Sequence, residues 1–265
     1  MATNFDKGMA LLARPRETGE RIRNKVRTLL DGATARSTLR GTPASGMTEA
    51  IARLCGEAGD GFRDSTGLST ALGSLERQIQ AGTREPGPFG AFHSASPTLG
   101  RLCYLICRML QPKVVVETGV AYGVTSSYIL LALSENAKGT LHSIDLPPLA
   151  RDAAKQVGRL VPVELRGRWK LTIGSARTEL PRTIDRAGGL DIFVHDSLHT
   201  YRHMQWELGL ALSRLRRGGA LVADDIEGNR AFEEAAAHLS VDSWVAIQEE
   251  GKDALCGALR VGCPL

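Results

Sequence analysis

From Lys113 onward, short and largely apolar runs alternate with amphipathic stretches, and this alternation constrains the fold more than any other feature of the chain. Val114–Val116, Leu141–Ile144, Trp169–Ile173, Ile192–Val194 and Ala220–Ala223 read as strands. Helical patterns over Thr125–Leu133, Ala150–Leu160, Ala176–Ile184 and Tyr201–Leu215 separate them. Strands that are apolar on both sides of the pleat must be covered on both faces, so regular βα repetition predicts a parallel sheet between two helical layers. After a helical stretch at Ala231–Leu239, the runs Trp244–Ile247 and Ala258–Val261 follow with no helix between them, so one of the pair is antiparallel. The expectation is an α/β fold: a doubly wound, mostly parallel, seven-stranded sheet.

The chain before this region reads differently. Ile22, Val26 and Leu29–Leu30 recur at helical spacing, a Gly/Thr/Ser/Pro-rich stretch at Gly32–Gly46 interrupts, and Met47–Cys55 and Leu68–Ile79 read as further helices. Pro86, Gly87, Pro88 and Gly90 mark Gly82–Ser96 as a loop. Ser96-Pro97 then starts a helix, with Ser96 as cap and Pro97 in the first turn, and Leu99, Leu102, Cys103, Ile106 and Leu110 as its buried face. Residues 1–95 are therefore read as a helical N-terminal extension, a lid or an oligomer interface, and 96–265 as the domain that carries the chemistry.

Composition removes several classes. With 43% hydrophobic and 23% charged residues, a 265-residue chain can bury a large core without covalent staples. The net charge of +4 comes from arginines scattered along the chain, not from a basic stripe interleaved with aromatics, so no nucleic-acid partner is expected. Five cysteines with no CxxC pair argue against a disulfide framework, and Cys103 and Cys107 read as buried small hydrophobes. No run approaches the roughly 18 apolar residues of a membrane span, and Met1–Leu12 lacks a leader pattern, so a cytoplasmic protein is expected.

In doubly wound sheets ligands bind beyond the carboxyl ends of the strands. The first strand ends in Glu117-Thr118-Gly119-Val120-Ala121-Tyr122-Gly123, with Thr125 and Ser126 in the next helical turn. Gly119 allows a sharp turn and Gly123 a close approach to a ligand, but Ala121 breaks the phosphate-cradling GxGxxG pattern. Asp145 closes the second strand, where a carboxylate can accept from both ribose hydroxyls or can cap the turn before Pro147-Pro148. Ser175, after the third strand, can border a base or cap a helix. Asp196, Asp224 and Asp225 follow the next two strands. Three acids at neighbouring tips repel unless a cation offsets them, and oxygen ligands favour magnesium; without a metal, one would face a cofactor and another cap a helix. His199, beside them, is a candidate general base, or a structural histidine bonded to backbone. Zinc held by His195, His199 and His203 is the weaker reading, since neither HExxH nor a cysteine pair is present.

VVVETGVAYGVTS, Asp145, the GSA turn at 174–176, HDSLHTY and LRRGGALVADDIEGN together give residues 96–261 a resemblance to class I S-adenosylmethionine-dependent methyltransferases. The bacterial subgroup with macrolide-sugar O-methyltransferases and cephalosporin-hydroxylase-like proteins is the most similar. The resemblance implies a Rossmann-like methyltransferase fold and S-adenosylmethionine as cofactor. It places Glu117, Gly119 and Gly123 at its methionine end and ribose, with Tyr122, Thr125 and Ser126 completing the same loop and helix start. It places Asp145 on the ribose hydroxyls, Ser175 and Ala176 by the adenine, and Asp196 at the cofactor and in catalysis. Asp196, Asp224 and Asp225 match the magnesium-holding acids of metal-dependent members. Catechol-type relatives often use a lysine base; His199 stands in that neighbourhood here. The implied reaction is O-methylation of a small-molecule hydroxyl in natural product biosynthesis; the N-terminal helices, which carry no such resemblance, are expected to lid the acceptor site or to build a homo-oligomer interface. Two alternatives share the sheet: a nicotinamide-dependent oxidoreductase, opposed by Ala121 and the Asp224-Asp225 pair, and a non-catalytic scaffold subunit, opposed by the intact set Glu117, Asp145 and Asp196.

Overall fold

The computed structural model of the chain describes residues 19, 21, 22, 24, 26, 28, 36–56, 70–84, 87–89, 96–150, 152–237 and 243–262. Strands β1 (Thr42–Pro43), β2 (Val114–Thr118), β3 (Thr140–Asp145), β4 (Trp169–Ile173), β5 (Leu190–His195), β6 (Leu215–Ala223), β7 (Trp244–Gln248) and β8 (Leu255–Arg260) form a single sheet. Their order is β1-β7-β8-β6-β5-β2-β3-β4. β8 runs antiparallel to both β6 and β7, and all other pairs are parallel. The seven expected strands are joined by an eighth, the two-residue β1, which pairs with β7 inside the stretch read from sequence as an interruption.

Helices α1 (Met47–Cys55), α2 (Thr70–Thr83), α3 (Pro97–Leu110) and α4 (Val124–Glu135) cover one face. α5 (Ala153–Gln156) is a single turn, and α6 (Ala176–Ala187), α7 (Tyr201–Leu212) and α8 (Ala231–Ala236) include the helices of the other face. The pleat divides the core accordingly. Val115, Ile192, Val194 and Val222 point into the first layer, while Val116, Phe193 and Leu221 point into the second. Every residue of β2 is buried, as expected of a central parallel strand. α4 is buried along ten successive residues, Val124–Leu133, because the sheet lies on one side and α2 and α3 on the other. Ser96 caps α3 as the sequence indicates, its side chain accepting from the Thr98 N–H at 3.1 Å, with Pro97 at the first position.

Most ends move by a residue or a few, and three differences have a visible cause or consequence. The helix expected over Ala150–Leu160 shrinks to Ala153–Gln156: Asp152 is left-handed at φ 59° and Gly158 at φ 70°, and a Cβ on Gly158 would lie 2.0 Å from the Trp169 ring. α7 stops at Leu212, and β6 begins early at Leu215, where it pairs with Leu190 across an irregularity in register. Met1–Leu12, Leu29, Leu30, Gly32, Leu68, Pro86, Gly90 and Leu239, which figure in the sequence reading, lie outside the described residues, as does the fifth cysteine, Cys263. Cys55, Cys103, Cys107 and Cys256 are buried, and no described helix is long and apolar enough to cross a membrane.

Candidate active site

A cavity of about 1090 Å³ opens over the carboxyl ends of β2, β3, β4, β5 and β6. This is slightly above the roughly 300–1,000 Å³ of ordinary small-molecule pockets, enough for a nucleoside cofactor and a second reactant. Its wall includes Ser96, Gly119, Asp145, Ser175, Ala176, Asp196, His199, Asp224 and Asp225, and also Arg21 and Phe89 from the N-terminal part.

Asp145 organises one half. Its Oδ2 accepts from the backbone N–H groups of Val120 at 2.7 Å and Ala121 at 2.9 Å, so it ties the loop after β2 to the tip of β3. Gly119, at φ 85°, passes so close to the neighbouring strand that a Cβ would lie 1.7 Å from the Asp196 carbonyl oxygen. Gly123, expected to admit a ligand, instead admits backbone: a Cβ there would meet Gly158 Cα at 2.8 Å and Val161 Cγ2 at 2.7 Å. Ser175 both lines the cavity and caps α6, accepting from the Arg177 N–H at 3.1 Å.

Glu117, Tyr122, Gly123, Thr125 and Ser126 are not among the lining residues; they stand behind the wall. Glu117 is fully buried and accepts from the hydroxyls of Ser126 at 2.6 Å and Ser143 at 2.7 Å. Burial outweighs those two bonds and raises its carboxyl to about 7. The Tyr122 hydroxyl donates to the Phe89 carbonyl and accepts from the Phe89 N–H, which pins the lining residue Phe89. Thr125 donates to Asp196 Oδ2 at 3.2 Å.

Three of the predicted residues converge. Asp196, His199 and Asp224 each offer a ligand atom within 4.8 Å of the others. Asp225 also faces the imidazole, its Oδ2 3.8 Å from His199 Nε2, in a left-handed conformation at φ 50° that aspartate tolerates. Burial, and then the Asp224 and Glu117 charges, push Asp196 well above the usual carboxylate range. Burial, Asp225 and Glu249 do the same to Asp224, whose buried Oδ1 has no hydrogen-bond partner. Burial, with His195 alongside, holds His199 below its ordinary value. His199 precedes α7 rather than sharing a helical face with His203, which removes the geometry of the zinc reading.

His203 and His195 turn instead to a residue that sequence reasoning missed. Glu207, buried in α7, accepts from His195 Nδ1 at 2.6 Å, His203 Nε2 at 2.9 Å, the Thr118 hydroxyl at 2.6 Å and the Ser197 hydroxyl at 3.2 Å. Burial by itself would raise its carboxyl, but the two histidines outweigh it and hold Glu207 below the usual range. The available signal was the four-residue spacing of His203 and Glu207 on an inward helix face. Asn229 Nδ2 donates to the His199 carbonyl at 3.1 Å, and the buried Glu249, after β7, completes the acidic wall.

Comparison with known proteins fits this arrangement. A family profile described as "Methyltransferase domain" matches residues 116–226. A Mycobacteroides abscessus protein named "putative O-methyltransferase" is 31% identical over 58% of this chain and 69% of its own length. One of the same name from Mycolicibacterium vanbaalenii is 31% identical over 56% of this chain and 62% of its own. The O-methyltransferase TomG of Streptomyces achromogenes, involved in tomaymycin synthesis and solved with SAM, superposes with TM-score 0.55 at 24% identity, over 76% of this chain and 95% of that one. A Bacillus cereus O-methyltransferase solved with SAH gives TM-score 0.55 at 20% identity, over 74% and 94%. The order of the sheet, the acids at its strand tips and these relatives agree: the chain belongs to the O-methyltransferase family of class I S-adenosylmethionine-dependent methyltransferases.

Proposed function

We propose that this chain methylates a hydroxyl of a small-molecule acceptor, with a divalent cation at Asp196 and Asp224 and with His199 as the base. The observation that carries the reading is the convergence of Asp196, His199 and Asp224 in the cavity wall, with a buried Asp224 oxygen left without a partner. Charge supports it. Among the described lining residues, Asp145, Asp196, Asp224, Asp225 and Glu249 oppose only Arg21 and Lys252, and a sulfonium cofactor with a divalent ion offsets the excess. All-oxygen carboxylate donors suit magnesium or manganese.

Asp145 binds the ribose hydroxyls while it keeps the loop after β2 in place. Gly119, Ser175 and Ala176 line the rest of the cofactor trough, and Asp196 stands between that trough and the acceptor. The acceptor oxygen attacks the methyl carbon in line, the sulfur–methyl bond breaks and S-adenosylhomocysteine leaves. The acceptor proton passes to His199, whose depressed basicity keeps it unprotonated near neutral pH. When bound, the cation supplies Lewis acidity at the acceptor oxygen. The described residues before 96 that line the cavity, Arg21 and Phe89 among them, act as part of its cover.

The test is calorimetry with S-adenosylhomocysteine, with and without Mg2+, alongside NAD as a control. Heat from the nucleoside and none from NAD is expected, and no heat from S-adenosylhomocysteine would overturn the reading. Asp224→Ala is expected to abolish labelled-methyl transfer into a metabolite extract while S-adenosylhomocysteine affinity stays within about threefold. Full transfer by that variant would remove the cation.

A further inference from the structure

We infer that Glu207 is a positioning residue for the acceptor half of the site: it holds Asp196 in place by binding the side chains on either side of it. This rests on the cation centre proposed above. His195 immediately precedes Asp196 and Ser197 immediately follows it, and both donate to the Glu207 carboxylate. The third donor, Thr118, lies at the tip of β2, and its carbonyl accepts from the Asp196 N–H at 2.9 Å. Glu207 thus gathers the ends of β2 and β5 and the loop after β5 around one acid.

Packing alone does not account for this residue. A leucine would fill the inward face of α7, whereas a carboxylate with no exposed surface is tolerated only with full hydrogen bonding. An ionised carboxylate only accepts, so the ring nitrogens of His195 and His203 that face it must carry protons, which fixes both tautomers. The opposite nitrogens, His195 Nε2 and His203 Nδ1, are buried without partners. Among the described residues the His195 ring has no other hydrogen bond to hold its orientation, and the one further contact of the His203 ring, 3.4 Å from Nε2 to the Ser197 hydroxyl, belongs to the same cluster. Loss of the carboxylate releases both sides of Asp196 at once, while Asp145, Gly119 and Ser175 on the cofactor side make no contact with Glu207 through these bonds.

The experiment is a titration of Mn2+ into protein saturated with S-adenosylhomocysteine, followed by calorimetry and by the electron paramagnetic resonance of the free ion. Glu207→Gln keeps the volume but cannot satisfy the same set of donors. Ser197→Ala removes one arm at a partly exposed position and keeps the inference testable if the buried variant does not fold. Both are expected to bind Mn2+ about 10-fold or more weakly, in line with the 10–100-fold cost of removing partners that orient metal ligands. S-adenosylhomocysteine affinity is expected to stay within about threefold. Mn2+ affinity equal to wild type in either variant overturns the inference, as does a parallel loss of nucleoside affinity, which would mark a general loosening of the strand ends. Wild-type protein that takes up S-adenosylhomocysteine but no Mn2+ overturns the cation centre and this role together. Normal binding of both by wild type and variants overturns this role alone.

Discussion

At the scale of single residues, Asp145 and Glu117 show two fates of a carboxylate at a strand end. Asp145 lines the cavity and is pinned by backbone donors, so Asp145→Ala is expected to weaken S-adenosylhomocysteine binding about 10- to 100-fold, or about 1.4–2.7 kcal/mol, read by calorimetry. Glu117 lies behind the wall, with its carboxyl raised to about 7 from 4.5. Folding therefore takes up a proton between those two values: stability falls as pH rises from 4.5 towards 7, and the loss is complete above that. Glu117→Gln removes the penalty. Urea unfolding at pH 5 and pH 8 is expected to show the variant gaining on wild type at the higher pH, by up to about 3 kcal/mol. Asp196, His199, Asp224 and Asp225 were legible in the sequence because each sits directly after a strand signal. Glu207 was not: its partners Thr118 and His195 lie 89 and 12 positions away, and only the fold brings them to it. The placement of Glu117, Tyr122, Thr125 and Ser126 behind the wall was equally hidden, since sequence gives the loop but not the face each side chain takes.

At the scale of elements, the N-terminal helices are tied to the sheet domain by specific bonds as well as by apolar packing. Glu76 on α2 takes two bonds from Arg101 on α3, at 2.7 and 3.0 Å, and one from the Tyr128 hydroxyl on α4 at 3.1 Å. The Arg101 bonds hold the Glu76 carboxyl below 4.5. Its contribution is therefore present above pH 4.5 and is lost as pH falls through the lower folded value. Glu76→Gln is expected to cost about 1–2 kcal/mol at neutral pH, kept small by the partial exposure of the pair, and to flatten the acid limb of a urea-unfolding profile. Element types were readable because apolar periodicity marks a helix or a strand. The ends were less so, as at α5, where Gly158 must make room for the Trp169 ring, a contact that no local pattern announces.

At the scale of the whole molecule, apolar βα repetition indicates a mostly parallel sheet and the missing helix indicates that one of the last two strands is reversed; the strand order, and that β8 is the reversed one, come from the structure. That reversal brings the end of β7, with Glu249 and Lys252, to the same rim as Asp224. The rim is thus built from two independent sources. In the function proposed above, the ends of β2 to β4 would serve the nucleoside, while the turn at 249–254, on the far side of the same cavity, would border the acceptor. Exchanging that turn for one of equal length from a relative is expected to alter which hydroxyl compounds are turned over, with S-adenosylhomocysteine affinity unchanged by calorimetry. Because this turn joins the last two strands and stands apart from β2 to β4, rewriting its six residues is expected to change the clientele of the scaffold while the proposed apparatus for the methyl donor stays in place.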